Sequence, residues 1–184
     1  EEALLHIFTN MKSIIEEAIE IPEGVTCELK ARSIVCTKES TALTLLINHP
    51  EIDAQVNNRT ITLHCTKGNK IHRRNMGSLK AHLKNIFSGL QQKFIYMLEA
   101  CNVHFPMTAK IEKNNLVITN FLGERTSRIA EILPEVSVEI KEQKSPTNPF
   151  KLKISSHNRE AAGQTAANIE KATHIKKRDR RVFQ

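Results

Sequence analysis

The segment VTCELK-AR-SIVCT, from Val25 to Thr37, is the most informative part of the sequence about the fold. Two short runs with alternating apolar residues lie on either side of the dipeptide Ala31-Arg32. A period of two is typical of a strand with one buried face, and a two-residue turn joins two such strands into a hairpin. The segment therefore predicts an antiparallel β-hairpin.

The same pattern occurs a second time further along the chain. Thr108 to Glu112, the turn Lys113-Asn114 and Asn115 to Thr119 repeat it at a constant offset of 82 residues. Ile21-Pro22 precedes the first copy and Phe105-Pro106 precedes the second. Repetition of a whole supersecondary unit predicts a duplicated domain.

Each copy continues with a further strand and a helix. An alternating strand at Thr60 to Cys65 leads to an apolar stripe of helical spacing near Met76 to Leu90. In the second copy, a strand at Phe150 to Ser155 leads to a helix near Asn158 to Thr173. The sequence predicts an α+β fold of two tandem similar domains, each an antiparallel sheet packed against a helix.

These patterns also predict the domain boundaries. Residues 1–10 form an N-terminal extension, 11–93 the first domain, 94–175 the second domain, and 176–184 a basic C-terminal tail. The start of the first domain has two interpretations. The apolar residues Leu4, Phe8, Met11, Ile15 and Ile19 have helical spacing, whereas Ile14 to Ile21 equally fits the first strand of the sheet.

Positive charge is concentrated in two segments of a chain whose net charge is +7. Residues 66–94 contain seven Lys and Arg and no carboxylate, and residues 171–184 contain six against Asp179. A field of one sign costs self-repulsion, and phosphate binding offsets that cost through counterion release. The pattern favours nucleic acid over a membrane surface, because the tail lacks an apolar companion face.

The sequence offers no motif for catalysis or for metal binding. It contains no phosphate-binding loop, no dinucleotide fingerprint, no HExxH and no GxSxG. The four Cys form no CxxC pair and the eight His never pair at metal spacing. We expect a cytoplasmic protein with reduced thiols, no cofactor, no metal and no enzymatic activity.

One glycine-containing loop, Asn120 to Glu124, is followed by Arg125 and Arg128. It is equally well interpreted as an ordinary turn, in which Gly123 supplies positive φ, or as a phosphate-binding loop. In the second interpretation, the backbone approaches a phosphate and the two arginines bind neighbouring ones.

Several short motifs resemble one protein family in wording and order. They are Met11-Lys12 with Ile21-Pro22-Glu23, Gly68-Asn69-Lys70, Val103-His104-Phe105-Pro106, Asn120-Phe121-Leu122-Gly123-Glu124 and the basic ending Lys176 to Phe183. The family is the universal large-subunit ribosomal protein six family, in its archaeal and eukaryotic branch. The chain departs from it at Thr37 to Ser40, where relatives often have a Gly-Pro-basic-Gly turn, and at Asn48 to Asn58, where a basic loop is common.

The resemblance implies a two-domain protein that binds large-subunit ribosomal RNA, beside neighbouring ribosomal proteins and near the site of translational GTPases. A free RNA-binding or ribosome-assembly factor is the alternative. The resemblance and the charge pattern together predict these RNA-binding residues: Lys67, Gly68, Asn69, Lys70, Arg73, Arg74, Lys80, Lys84, Asn120, Gly123, Arg125, Arg128, Lys176, Lys177, Arg178, Arg180 and Arg181.

Overall fold

The computed structural model describes residues 13–101, 105–141 and 150–175 of the 184-residue chain. The chain divides into two compact units between Leu90 and Gln91. Within the described residues, each unit has two three-stranded antiparallel sheets and one long helix.

The first unit packs both of its sheets and its helix around one core. Its elements are β1 (Ser13–Glu20), β2 (Thr26–Lys30), β3 (Ser33–Lys38), β4 (Thr41–Leu46), β5 (Asp53–Val56), β6 (Thr60–Gly68) and α1 (Lys70–Gln91). The strand orders are β1-β6-β5 and β2-β3-β4. Ile34 of β3, Leu63 of β6 and Leu83 of α1 are fully buried in this core.

The second unit repeats this topology. Its elements are β7 (Phe94–Ala100), β8 (Thr108–Glu112), β9 (Asn115–Thr119), β10 (Arg128–Glu131), β11 (Ser137–Lys141), β12 (Phe150–Ser156) and α2 (Arg159–Ala172). The sheets have orders β11-β12-β7 and β10-β9-β8. In both units the sixth strand therefore lies between the first and the fifth, and the third lies between the second and the fourth.

The repeat extends to individual side chains. Thr26 and Thr37 face each other across β2 and β3, with their hydroxyl oxygens 2.7 Å apart. Thr108 and Thr119, each 82 residues later, make the same cross-strand hydrogen bond. The first turn residue has a φ of 53° in both hairpins, at Ala31 and at Lys113.

The predicted fold class is confirmed, with two sheets in each unit instead of one. Of the two interpretations of the N-terminal region, the strand is correct over Ser13–Glu20, where Ile15 and Ile19 are buried on one face. The apolar positions of the helical alternative before Ser13 lie outside the described residues. Helix α1 begins at Lys70, six residues before the predicted Met76.

Candidate nucleic-acid interface

A single residue, Asn69, separates β6 from α1, and its side chain caps the helix. The Asn69 Oδ1 atom accepts hydrogen bonds from the backbone N–H groups of Ile71 at 2.8 Å and His72 at 2.9 Å. The Asn69 N–H lies 3.3 Å from His72 Nδ1, which makes the cap reciprocal. These contacts satisfy donors that have no partner inside the helix. The motif Gly68-Asn69-Lys70 therefore comprises the last residue of β6, the helix cap and the first residue of α1.

The two faces of α1 differ sharply in chemistry. One face is buried against the sheets and consists of Met76, Leu79, Leu83, Phe87, Gly89 and Leu90. The opposite face carries exposed cations, which with Lys67 at the end of β6 we call the α1 basic face: Lys67, Lys70, Arg73, Arg74 and Lys84. Four of these residues belong to α1. Arg73 and Arg74 lie three and four residues after Lys70, and Lys84 follows them by eleven and ten residues, so all four lie along one side of the helix.

The cations of the α1 basic face have no counter-charge among the described residues. Within residues 13–101, 105–141 and 150–175, none of the five side chains forms an ion pair with a carboxylate. The first turn of α1 has no acidic residue. Cations near a helix N-terminus interact unfavourably with the helix dipole, whereas an anion bound there is stabilised by the cations and by the dipole. Binding of an anionic partner would therefore offset this unfavourable interaction.

Lys80 and Lys84 have different surroundings, although the sequence predicts the same role for both. Lys80 is half-buried, and its ammonium group pairs with the Glu17 carboxylate on β1. Lys84 lies one turn further along and is exposed. Lys80 thus ties α1 to the sheet, whereas Lys84 is free to contact a partner.

A glycine interrupts the α1 basic face. Gly77 lies between Arg74 and Lys80 in sequence and is exposed. Apart from its chain neighbours and the adjacent helix backbone, no atom lies within 4 Å of the position that a Cβ would occupy. Glycine inside a helix costs stability relative to alanine. The missing side chain leaves the helix backbone open to close approach at this point.

In the second unit, the predicted loop is a tight turn of left-handed residues. Asn120, Leu122 and Gly123 have φ values of 57°, 52° and 73°. The Asn120 side-chain amide donates to the Pro106 carbonyl oxygen at 2.8 Å. A Cβ at Gly123 would lie 2.9 Å from the Phe105 ring. Contacts within the chain therefore explain why asparagine occupies position 120 and glycine position 123.

Arg128 is held by groups of its own chain. Its Nε and Nη2 atoms donate to the two carboxylate oxygens of Glu124 at 2.8 and 2.7 Å. Its Nη1 atom donates to the carbonyl oxygens of Ala172 and His174, at the end of α2, at 2.8 and 2.9 Å. The guanidinium carbon also lies 4.3 Å from the centre of the Phe121 ring.

The electrostatics of this cluster keep Arg128 charged. Its hydrogen bonds to Glu124 raise the pKa of Arg128, because they favour the protonated guanidinium. Four of its five N–H groups are engaged by these contacts. Arg125 is exposed and has no such partner in the described part of the chain.

The structure groups the predicted residues by unit. The α1 basic face brings five of them together in the first unit, and the turn at Asn120 to Arg128 brings four together in the second. The five predicted residues of the C-terminal tail lie outside the described residues, and their role stays a prediction.

Sequence reasoning missed residues that position the cations. Glu124 orients Arg128, and His72 supports the cap because its Nδ1 atom accepts from the Asn69 N–H. The spacing of Glu124 and Arg128, four residues apart, was the available signal. No signal in the sequence indicated the contact of His72 with Glu51, which is distant along the chain.

Among the described residues, no three His, Cys, Asp or Glu side chains are grouped so that they could hold a metal ion. Over the same residues, no helix is both long and apolar enough to cross a membrane.

The fold and the site together define a class of protein: paired α+β units that expose uncompensated lysine and arginine on a rigid helix. Comparison with known proteins agrees with this class. The family model described as ribosomal protein L6 matches residues 105–184.

Whole-chain relatives extend the match over both units. The chain is 33% identical over 172 residues to large ribosomal subunit protein uL6 of Methanococcus vannielii, covering 94% of this chain and 91% of that protein. It is 35% identical over 170 residues to the protein of that name from Methanobrevibacter smithii, covering 92% of each chain. The chain belongs to the ribosomal protein L6 family. Membership of this family of ribosomal proteins confirms the predicted resemblance and agrees with a non-enzymatic role.

Proposed function

We propose that the chain is a structural constituent of the large ribosomal subunit and binds ribosomal RNA through backbone phosphates. The observation that carries the proposal is the α1 basic face, whose five cations lack carboxylate partners within the described residues. Its presence in a member of a ribosomal protein family supports RNA as the anionic partner.

The helix acts as a rigid support for these cations. Lys70 and Lys84 are fourteen residues apart, a distance of about 21 Å along a helix. That length allows contact with several successive phosphates. Arg73 and Arg74 can each bind a phosphate through two donors, while the lysines act as point charges. Recognition in this mode depends on the shape of the folded RNA backbone more than on base sequence.

Arg125 and Arg128 have distinct roles in this proposal. Arg125 is exposed and available for a phosphate contact. Arg128 holds the Ala172 and His174 carbonyl oxygens just before the sequence continues into the basic tail at Lys176. We infer that Arg128 is a positioning residue, which fixes the point from which the tail departs.

The proposal extends to the surroundings of the protein. The family resemblance supports a cytoplasmic, ribosome-bound protein with other ribosomal proteins beside it and translational GTPases acting nearby. The tail residues Lys176, Lys177, Arg178, Arg180 and Arg181 are proposed as further RNA contacts.

Binding to large-subunit ribosomal RNA at several salt concentrations tests the proposal. The double variant Arg73→Gln/Arg74→Gln should bind more weakly, and its salt dependence should fall by roughly one unit of slope for each phosphate that the variant no longer binds. The control is Lys110→Gln/Lys141→Gln, which removes the same charge from exposed positions of the second unit. Equal effects of both double variants would show that only net charge matters and would contradict a specific basic face.

A further inference from the structure

Two cysteines of the first unit face each other across a β-hairpin. Cys27 on β2 and Cys36 on β3 are direct partners in the antiparallel ladder. Both thiols are free. They lie at equal distances from the turn Ala31-Arg32, so the turn that fixes the register also fixes the pairing of the two cysteines.

The type of pair brings the two residues especially close. In a hairpin with a two-residue turn, the pair next to the turn is hydrogen bonded, and the two types of pair then alternate. Lys30 and Ser33 flank the turn, so Cys27 and Cys36, three pairs further on, form a non-hydrogen-bonded pair. Cα atoms of such a pair are about 4.5 Å apart, within the range of roughly 4.4–6.8 Å that a disulfide spans.

The two thiols differ in access and in acidity. Cys36 is 0% exposed, whereas Cys27 is half-buried and partly open to solvent. A hydrogen bond from Cys36 lowers the pKa of Cys27, because it stabilises the thiolate. The same hydrogen bond, together with burial, raises the pKa of Cys36. Cys27 therefore suits the role of the attacking thiol, and Cys36 that of the resolving thiol.

We propose that Cys27 and Cys36 are a redox modification site, at which a hydroperoxide converts the dithiol into an intramolecular disulfide across β2 and β3. The site is independent of the RNA-binding role. Cross-strand disulfides that are strained or accessible are readily reduced again, which suits reversible modification in a reducing compartment.

The reaction balances with the hydroperoxide as the oxidant. The Cys27 thiolate attacks the terminal peroxide oxygen, so that an S–O bond forms as the O–O bond breaks. The departing alkoxide takes up a proton to give an alcohol, and with hydrogen peroxide the departing hydroxide gives water. The Cys36 thiol then attacks the Cys27 sulfur, so that the S–S bond forms as the S–O bond breaks. Hydroxide leaves with the Cys36 proton as water, and the two electrons given up by the sulfurs have reduced the peroxide.

The remaining cysteines lack this arrangement. Cys65 is 1% exposed and faces Ile15 across β1 and β6. Cys101 is exposed and belongs to the second unit. Cys101→Ser therefore removes the thiol most prone to intermolecular crosslinking without altering the proposed site.

The test treats the full-length Cys101→Ser protein with hydrogen peroxide and follows it by intact mass and peptide mapping. The expected result is a monomer that has lost two hydrogen atoms and yields a disulfide-linked peptide that contains Cys27 and Cys36. Dithiothreitol should restore the original mass completely. In Cys36→Ala, which keeps a small apolar side chain in the core, Cys27 should instead gain oxygen atoms. In Cys27→Ser, the buried Cys36 should stay reduced.

Two results would overturn the proposal. One is a Cys101→Ser protein in which Cys27 gains oxygen while Cys36 remains a free thiol, since the partner would then have failed to resolve the oxidised sulfur. The other is a protein that stays fully reduced under peroxide while Cys27 still reacts with iodoacetamide. A Cys36→Ala protein that fails to fold leaves both criteria intact, because each is read from the Cys101→Ser protein.

Discussion

At the scale of single residues, Arg125 and Arg128 show how two similar positions in the sequence acquire different roles. Both follow the same turn, yet Arg125 is exposed while Arg128 contacts Glu124 and the end of α2. The sequence identified both as arginines beside a tight turn. The sequence does not distinguish the roles of the two arginines, because the carbonyl oxygens bound by Arg128 lie 44 and 46 residues further along the chain.

This difference predicts opposite outcomes for two single substitutions. Arg128→Gln should lower the free energy of unfolding by about 1.5–3 kcal/mol, since it removes charge-assisted hydrogen bonds. Arg125→Gln should leave stability within about 0.5 kcal/mol of the parent and weaken RNA binding. Urea unfolding and RNA titration of both variants provide the measurement. A stability loss for Arg125→Gln equal to that for Arg128→Gln would contradict the assignment.

Two glycines provide a second contrast at this scale. Gly77 is exposed inside α1 with open space at its Cβ position, so Gly77→Ala should raise the free energy of unfolding by roughly 0.5–1 kcal/mol. Gly123 has a φ of 73°, and a Cβ at this position would lie 2.9 Å from the Phe105 ring, so Gly123→Ala should destabilise the protein. Urea unfolding of the two variants side by side tests this. Destabilisation by Gly77→Ala would show that its backbone environment is not as open as the structure indicates.

At the scale of elements, α1 shows where prediction from sequence succeeds and fails. From Met76 onwards the helix has a clear apolar stripe, which predicts this part of it. Its first six residues were missed because they carry no such stripe, and Ile71 there is 54% exposed. This part of the helix depends on the Asn69 cap instead of on burial.

The cap therefore has a measurable effect on stability. Asn69→Ala should cost about 1 kcal/mol, since two first-turn N–H groups lose their acceptor. Asn69→Asp should retain most of the stability, because a carboxylate accepts the same bonds and complements the helix dipole. Thermal and urea unfolding followed by circular dichroism measure both changes. Equal losses for the two variants would show that the Asn69 cap does not support the helix.

Among the strands, the sequence predicts those with strong alternation and clear turns, and it does not predict four others. The hairpin β8 and β9 has the predicted bounds, and β2 and β3 differ from prediction by one residue at an end. No prediction covered β4, β5, β10 and β11. β5 and β10 have only four residues each, which is too short for an alternating pattern to stand out.

At the scale of the whole molecule, the two units share their topology but differ in the distribution of charge. Both units use the same strand order and the same Thr–Thr contact. Six of the seven cations in the acid-free segment 66–94 belong to the first unit, and the basic tail is at the end of the second. The shared features therefore specify the fold, whereas the differences identify the surfaces proposed to bind RNA.

The tail supplies a prediction at this scale. Replacement of Lys177, Arg178, Arg180 and Arg181 by Glu should abolish incorporation into the large subunit, because it reverses the charge of a proposed RNA contact. The isolated protein should still unfold at the temperature of the parent. Epitope-tagged expression followed by subunit purification measures incorporation. Normal incorporation of the variant would remove the tail from the proposed interface.

The most direct test of the central claim is sucrose-gradient sedimentation of cell lysate, probed for this chain before and after a high-salt wash. A structural constituent of the large subunit should sediment with mature large subunits and polysomes in stoichiometric amount and should survive the wash. Release into light fractions, or confinement to precursor particles, would contradict that claim and would identify the protein as a free RNA-binding or assembly factor.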